Sequence, residues 1–404
     1  MRVVISKNTA RGRIKAPPSK SMAHRLLICA ALAEGESTVR GISDCEDVAA
    51  TIDCMRALGI ETARCGDDVI VKGRTPDRFF SGVTLPCRES GSTLRFLIPL
   101  ALSSGKTTML TGMPSLMSRP MGVYEKMCLE RGLTYISDGE TITVKGPLSS
   151  GEYNVVGNVS SQFISGLIFA LPTLKGDSRI RITPPIESRS YIELTIEAVK
   201  LFGISVIWED ERTLYIRGGQ RYIAGDVSVE GDYSGAAFPE ALNLFGGEVE
   251  VEGLNPDSIQ GDRVYRRYFD MLCRGVPTIH IGDCPDLAPI LFAVAAAKCG
   301  GVFSGTRRLK IKESDRAGAM AEELAKFGSS VAVYDDKVVV YPTNFHKPSV
   351  PLSSHNDHRI VMSLAILLTL TGGEIVGAEA VSKSYPDFFE HLISLGIGVE
   401  MYES

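Results

Sequence analysis

The stretch "PPSKSMAHR", Pro17 to Arg25, places two serines, a lysine and an arginine where an apolar helix is about to begin. A helix N-terminus presents unsatisfied N–H groups and a partial positive charge, which suits phosphate or carboxylate. Lys20 falls in the first turn, where a cation opposes the helix dipole unless an anion compensates it. Ser21 and Arg25 are four apart and share a helix face. The chemistry such a pattern serves is capture of a small polyanion. A solvated helix end is the plainer alternative for any one motif of this kind.

Similar polar starts precede other apolar runs. In "CRESGSTLRF", Gly91 lets a ligand approach the backbone, Ser92 offers a hydroxyl and Arg95 lies one turn on. In "NVSSQFISG", Ser160, Ser161 and Gln162 are neutral donors and acceptors able to hold phosphate without further charge. "KESDRAGAM" flanks Glu313 with Lys312 and Arg316, either an ion-pair patch or an acid/base group with a tuned pKa. "DCPDLAPI" sets Asp286 at a helix start, as a cap or as a base. "NDHR" contributes Arg359 and "SKSYPDFF" contributes Lys383. His24 and His358 read as structural histidines.

Composition narrows the ligand classes. The net charge of −5 argues against a general nucleic-acid binder, so any cationic site is local. Nine scattered cysteines form no CxxC and six histidines form no HExxH, so neither a disulfide framework nor a metal is expected, and a reducing cytoplasm fits. No apolar run is long enough to span a membrane, and the first residues lack the apolar centre of a signal peptide. The expectation is an intracellular protein with no membrane contact.

The elements that must position these residues repeat along the chain. An amphipathic helix ends in glycine and is followed by a strand, a polar turn and a returning strand, as in "MRALGIETARCGDDVIVKG" and "ELAKFGSSVAVYDDKVVVYP". The helix-ending glycines are Gly59, Gly132, Gly203, Gly275, Gly328 and Gly396, at intervals of roughly 70 residues except for a shorter step from Gly275 to Gly328. Each repeat also holds a helix that is apolar all round and therefore buried: 19–33, 92–103, 161–171, 233–244, 286–298 and 358–370. At 404 residues the chain exceeds one usual core. The pattern predicts α/β architecture in two domains of three βαβαββ repeats, each repeat closing in a hairpin, with a boundary near residue 230.

Taken together, "PPSKSMAHR", "SGSTLRF", "SRPMG", "SSQFISGL", "ESRSYIELT", "GDYSGAAF", "CPDLAP", "KESDRA", "NDHRIVMS" and "VSKSYPDF" resemble, in order and over essentially the whole chain, the 5-enolpyruvylshikimate-3-phosphate synthase family, the 3-phosphoshikimate 1-carboxyvinyltransferases. The resemblance implies two inside-out α/β barrel domains, 18–229 and 230–404, with residues 1–17 completing the second. It implies transfer of the enolpyruvyl group of phosphoenolpyruvate to the 5-hydroxyl of shikimate 3-phosphate in aromatic amino acid biosynthesis, by a monomer without cofactor or metal. Lys20, Ser21, Arg25, Ser160, Ser161, Ser188, Tyr191, Asp286 and Lys312 would then contact shikimate 3-phosphate. Lys20, Gly91, Arg119, Gln162, Arg316, Arg359 and Lys383 would hold phosphoenolpyruvate. Asp286 resembles the base for the attacking hydroxyl and Glu313 the group exchanging a proton with the enol methylene, with Lys20 and Lys383 as further catalytic candidates.

Three positions depart from the commoner family pattern: Glu89, Arg308 and His24 stand where asparagine is usual. A carboxylate at Glu89 near an anion site calls for a partner such as Arg95 or Arg119. The rival reading is the sister enzyme that transfers enolpyruvate to UDP-N-acetylglucosamine. That enzyme usually carries a cysteine where this chain has Pro114, and an asparagine where it has Ser21. A non-catalytic anion-binding relative is a third reading, opposed by Asp286, Glu313 and Lys383.

Overall fold

The computed structural model describes residues 1–403. The chain forms two compact bodies, one of residues 20–230 and the other of residues 1–19 with 231–404. Each has its own hydrophobic core.

In the first body the apolar helices are Lys20–Leu32, Gly91–Ser103 and Ser161–Ala170. Burial is nearly continuous along them: Met22 through Leu32 are all buried in the first, as expected of a helix without a polar face. The N-termini of the second and third are closed by serine side chains. Ser90 Oγ accepts from Thr93 N–H at 3.3 Å, and Ser160 Oγ from Gln162 N–H at 3.3 Å. Three four-stranded sheets surround them. One runs Gly151–Val156, Ser178–Thr183, Thr213–Ile216, Val206–Trp208, its first pair parallel and the rest antiparallel. The parallel pair needs a crossover, which the Ser161 helix supplies.

The second body repeats this plan with the helices Tyr233–Ala241, Ala288–Ala297 and His358–Thr371. Asp232 and Asp357 cap the first and third of these, accepting from Ser234 N–H at 3.1 Å and Arg359 N–H at 2.9 Å. The opening strand Arg2–Ile5 pairs antiparallel with both Gly373–Val376 and Val399–Tyr402, filling the slot that the last hairpin strand fills elsewhere.

One repeat differs from expectation. Five sheets have four strands, but the sixth is only Arg11–Lys15 parallel to Glu248–Glu252. The hairpin expected after Gly275 does not form. The strand Thr278–His280 pairs parallel with Gly301–Ser304 and so opens the next sheet instead. Gly275 accordingly has an extended φ of 173°, whereas the other five helix-ending glycines lie between 65° and 90° in the left-handed region. No helix among the described residues is long and apolar enough to cross a membrane.

Candidate active site

In the first body the three buried helices bring their N-terminal turns together through polar side chains. Gln162 Nε2 donates to Ser92 Oγ at 2.9 Å, while its Oε1 accepts from Arg95 at 2.7 Å. A Cβ placed on Gly91 would lie 2.9 Å from an Arg119 guanidinium nitrogen and 3.3 Å from one of Arg95. Glycine lets the two guanidiniums approach the backbone there without giving way. His24 Nδ1 lies 2.7 Å from Thr51 Oγ1, which lies 2.7 Å from Thr93 Oγ1, tying the Lys20 helix to the start of the Gly91 helix. Burial, then the charges of Lys20 and Arg25, hold His24 well below the usual histidine range, so it is neutral.

Lys20 Nζ is 2.6 Å from Asp47 Oδ2. Arg25 is buried, and its N–H groups donate to Thr195 Oγ1 at 2.8 Å and to the carbonyls of Ser21 at 2.6 Å and Tyr191 at 3.0 Å. Burial pushes its guanidinium down to about 10, still charged at neutral pH. Ser161 and Ser188 are buried, and Ser188 has φ 56°, a left-handed conformation costing a side-chain-bearing residue roughly 1–2 kcal/mol. Such strain concentrates at functional sites. Glu89 accepts a hydrogen bond from Ser115 Oγ at 2.7 Å.

In the second body the predicted residues converge on Asp286. Its carboxylate meets Lys312 Nζ at 3.3 Å, Arg316 at 2.7 Å and Arg359 at 3.2 Å. Burial alone would push this carboxyl up, but Arg359, Lys312 and Arg316 together hold it well below the usual carboxylate range. Burial pushes the Lys312 ammonium down, partly offset by Asp286. Arg316 also donates to Glu313 at 2.8 Å and, through Nε, to Asp357 at 2.8 Å. Burial opposes its charge, yet Asp357, Glu313 and Asp286 raise its pKa well above the ordinary value. Arg359 reaches Ser234 Oγ at 2.7 Å, so the starts of all three buried helices are linked here too. Lys383 is held beside this cluster, its ammonium 2.7 Å from both the carbonyl and the side-chain oxygen of Asn356.

Four partners here went unread in the sequence. Asp357, Asn356 and Ser234 sit inside the quoted motifs "NDHR" and "GDYSGAAF", yet their types said only cap or turn. Asp262, from "QGDR", is buried. Its burial and the neighbouring Asp286 push its carboxyl up to about 6, against the pull of Arg359.

The fold and these clusters define a two-body α/β protein in which, within each body, polar and cationic side chains link the starts of buried helices. The family model for EPSP synthase (3-phosphoshikimate 1-carboxyvinyltransferase) matches residues 5–392. A 3-phosphoshikimate 1-carboxyvinyltransferase of Clostridium kluyveri is 37% identical over 416 residues, covering 98% of this chain and 97% of that protein. One from Clostridium perfringens strain 13 is 38% identical over 421 residues, covering 98% of each. Two solved EPSP synthase structures from Acinetobacter baumannii superpose with TM-scores of 0.78 and 0.79 at 23% and 22% identity, covering 99–100% of this chain and 100% of those, a likeness of fold. The chain belongs to the EPSP synthase family.

Proposed function

We propose that this protein transfers the enolpyruvyl group of phosphoenolpyruvate to the 5-hydroxyl of shikimate 3-phosphate and releases phosphate, a step of aromatic amino acid biosynthesis. The hydroxyl adds to C2 of the enol as C3 takes a proton, giving a tetrahedral intermediate. Loss of a proton from the new methyl group then expels phosphate.

Arg25 is the observation that carries the reading. A buried guanidinium leaning on neutral oxygens is a desolvated charge, costly unless an anion arrives to compensate it. With Ser21, Ser160, Ser161, Ser188 and Tyr191 it forms our proposed shikimate 3-phosphate subsite in the first body. Gly91, Arg119 and Gln162 there, and Arg316, Arg359 and Lys383 in the second body, are our proposed phosphoenolpyruvate ligands. Planar guanidiniums suit both the carboxylate and the phosphate of that substrate.

The second body supplies the proton chemistry in this proposal. Asp286 is ionised, as a base must be, but three cations make it a weak one. Bound anions share Lys312, Arg316 and Arg359, so their hold on Asp286 loosens and its basicity rises once substrate is present. Glu313, hydrogen-bonded to Arg316, is our candidate for proton exchange with C3. Lys312 joins Asp286 on the shikimate side, and Lys20 and Lys383 carry charge to phosphoenolpyruvate.

The test is phosphate release. Purified protein should liberate phosphate from phosphoenolpyruvate only when shikimate 3-phosphate is present. Equal release with UDP-N-acetylglucosamine would favour the sister activity, and none with either would favour a non-catalytic relative. Nine free cysteines accord with a reducing cytoplasm, and a monomer is what family membership suggests.

A further inference from the structure

We infer that the pair formed by His355 and Glu323 is a positioning device for Lys383, acting through the strained turn between them. The inference rests on the assignment of Lys383 to the phosphoenolpyruvate site. His355 and Asn356 are consecutive side-chain-bearing residues with φ of 47° and 54°. The left-handed region crowds Cβ against the following carbonyl oxygen, and two such residues in a row persist only where their surroundings over-determine them.

One helix, Arg316–Ala325, grips this turn twice. At its first residue, Arg316 Nε donates to Asp357 Oδ2 at 2.8 Å. Seven residues on, two turns along the same face, Glu323 accepts from Ser353 N–H at 3.0 Å and lies 2.9 Å from His355 Nε2. Glu323 is fully buried, and Lys326 Nζ at 2.8 and 2.9 Å compensates its charge. Glu322 brings a further carboxylate oxygen within 4.8 Å of the Glu323 and His355 ligand atoms. That trio does not make a cation site, because the Lys326 ammonium already fills that electrostatic role.

Between the two grips sits Asn356. Its carbonyl and side-chain oxygens both face the Lys383 ammonium at 2.7 Å. The backbone carbonyl direction of Asn356 is set by the left-handed conformation, and His355 anchors the residue before it to a buried carboxylate on a rigid helix. Removing the imidazole frees the turn to relax toward ordinary φ, carrying both oxygens away from Lys383. Neither His355 nor Glu323 is assigned to substrate, so both act as positioning residues.

The test compares His355→Gly and His355→Asn with His355→Gln in the full-length chain. Glycine and asparagine tolerate the left-handed conformation but do not reach Glu323, so the fold is retained while the anchor is lost. Glutamine is long enough to donate to Glu323. Two readouts are taken: KM for each substrate, and the rate at which acetic anhydride modifies Lys383, followed by mass spectrometry against the exposed Lys126. Loss of the anchor should raise KM for phosphoenolpyruvate by about tenfold, leave that for shikimate 3-phosphate unchanged and speed Lys383 acetylation several-fold; glutamine should restore both to within about twofold. Unchanged acetylation and KM in the glycine and asparagine variants, or a glutamine variant as impaired as they are, would overturn the inference. Were the wild-type protein to transfer no enolpyruvate, the functional reading would fall, while the acetylation arm would still decide whether His355 sets Lys383.

Discussion

Arg25, in the second turn of the helix Lys20–Leu32 of the first body, and Arg316, the first residue of the helix Arg316–Ala325 in the second, are both buried arginines, yet their surroundings are opposite. Arg25 donates to a hydroxyl and two carbonyls, and burial pushes its pKa down. Arg316 donates to three carboxylates, and they push its pKa up. A guanidinium among neutral acceptors is an uncompensated buried charge, whereas one among carboxylates is compensated before any ligand arrives. In the proposed function, the first arrangement serves capture of shikimate 3-phosphate, and the second holds Asp286 and Glu313 beside cations that also meet phosphoenolpyruvate.

The comparison breaks most readily at Asp286. Asp286→Asn should lower kcat by roughly 10²–10⁴-fold with both KM values within a few-fold, the size expected for a lost general base. Steady-state phosphate release measures it, and a rise in KM alone would move the base elsewhere. Arg25→Met tests the binding body. Losing hydrogen bonds to a charged group, about 1.5–3 kcal/mol, should weaken shikimate 3-phosphate binding by roughly 10–100-fold in calorimetric titration. Because the guanidinium is desolvated without a carboxylate, the melting temperature should not fall with it. A large drop in melting temperature would mean that Arg25 serves the fold instead.

How far this division could be read in the sequence depends on distance along the chain. The buried helices were legible because an all-round apolar composition is local. Lys20, Arg25, Asp286 and Arg316 were legible as chemistry through type and spacing. Their partners were not: Asp357 lies 41 residues from Arg316, and Asp47 lies 27 from Lys20. Nothing local distinguishes a buried ion-pair acid from a helix cap. The absent fourth hairpin was hidden for a similar reason. "FDMLCRGVPTIHIGD" carries the same helix, glycine and strand pattern as its counterparts, and whether its strand turns back or opens the next sheet is decided by the strand Gly301–Ser304. The short step from Gly275 to Gly328 was the one signal available.

A smaller effect sharpens the picture of the first body. Gly91→Ala would bring Cβ to 2.9 Å from Arg119 and 3.3 Å from Arg95, so the guanidiniums must give way. KM for phosphoenolpyruvate should rise about tenfold, with that for shikimate 3-phosphate nearly unchanged, as for loss of one positioned charge contact worth ~1.4 kcal/mol. Equal changes in both constants would show that the two proposed subsites are not separable there.

The smallest effect tests whether the second body is fully ionic. Asp262 has its carboxyl pushed up to about 6 by burial and by Asp286, so it binds its proton more tightly folded than unfolded. The stabilisation this gives is complete below the unfolded value near 4 and is lost as pH rises through about 6. Between pH 5 and pH 7 the wild-type protein should therefore lose about 1 kcal/mol more stability than Asp262→Asn, which cannot ionise. Denaturant titrations of both proteins at the two pH values measure the difference, and Asp286, depressed in both, cancels from it. Parallel profiles would mean that Asp262 stays charged throughout. Below about pH 6 the cations of the second body would then face one more carboxylate than the raised value of Asp262 implies.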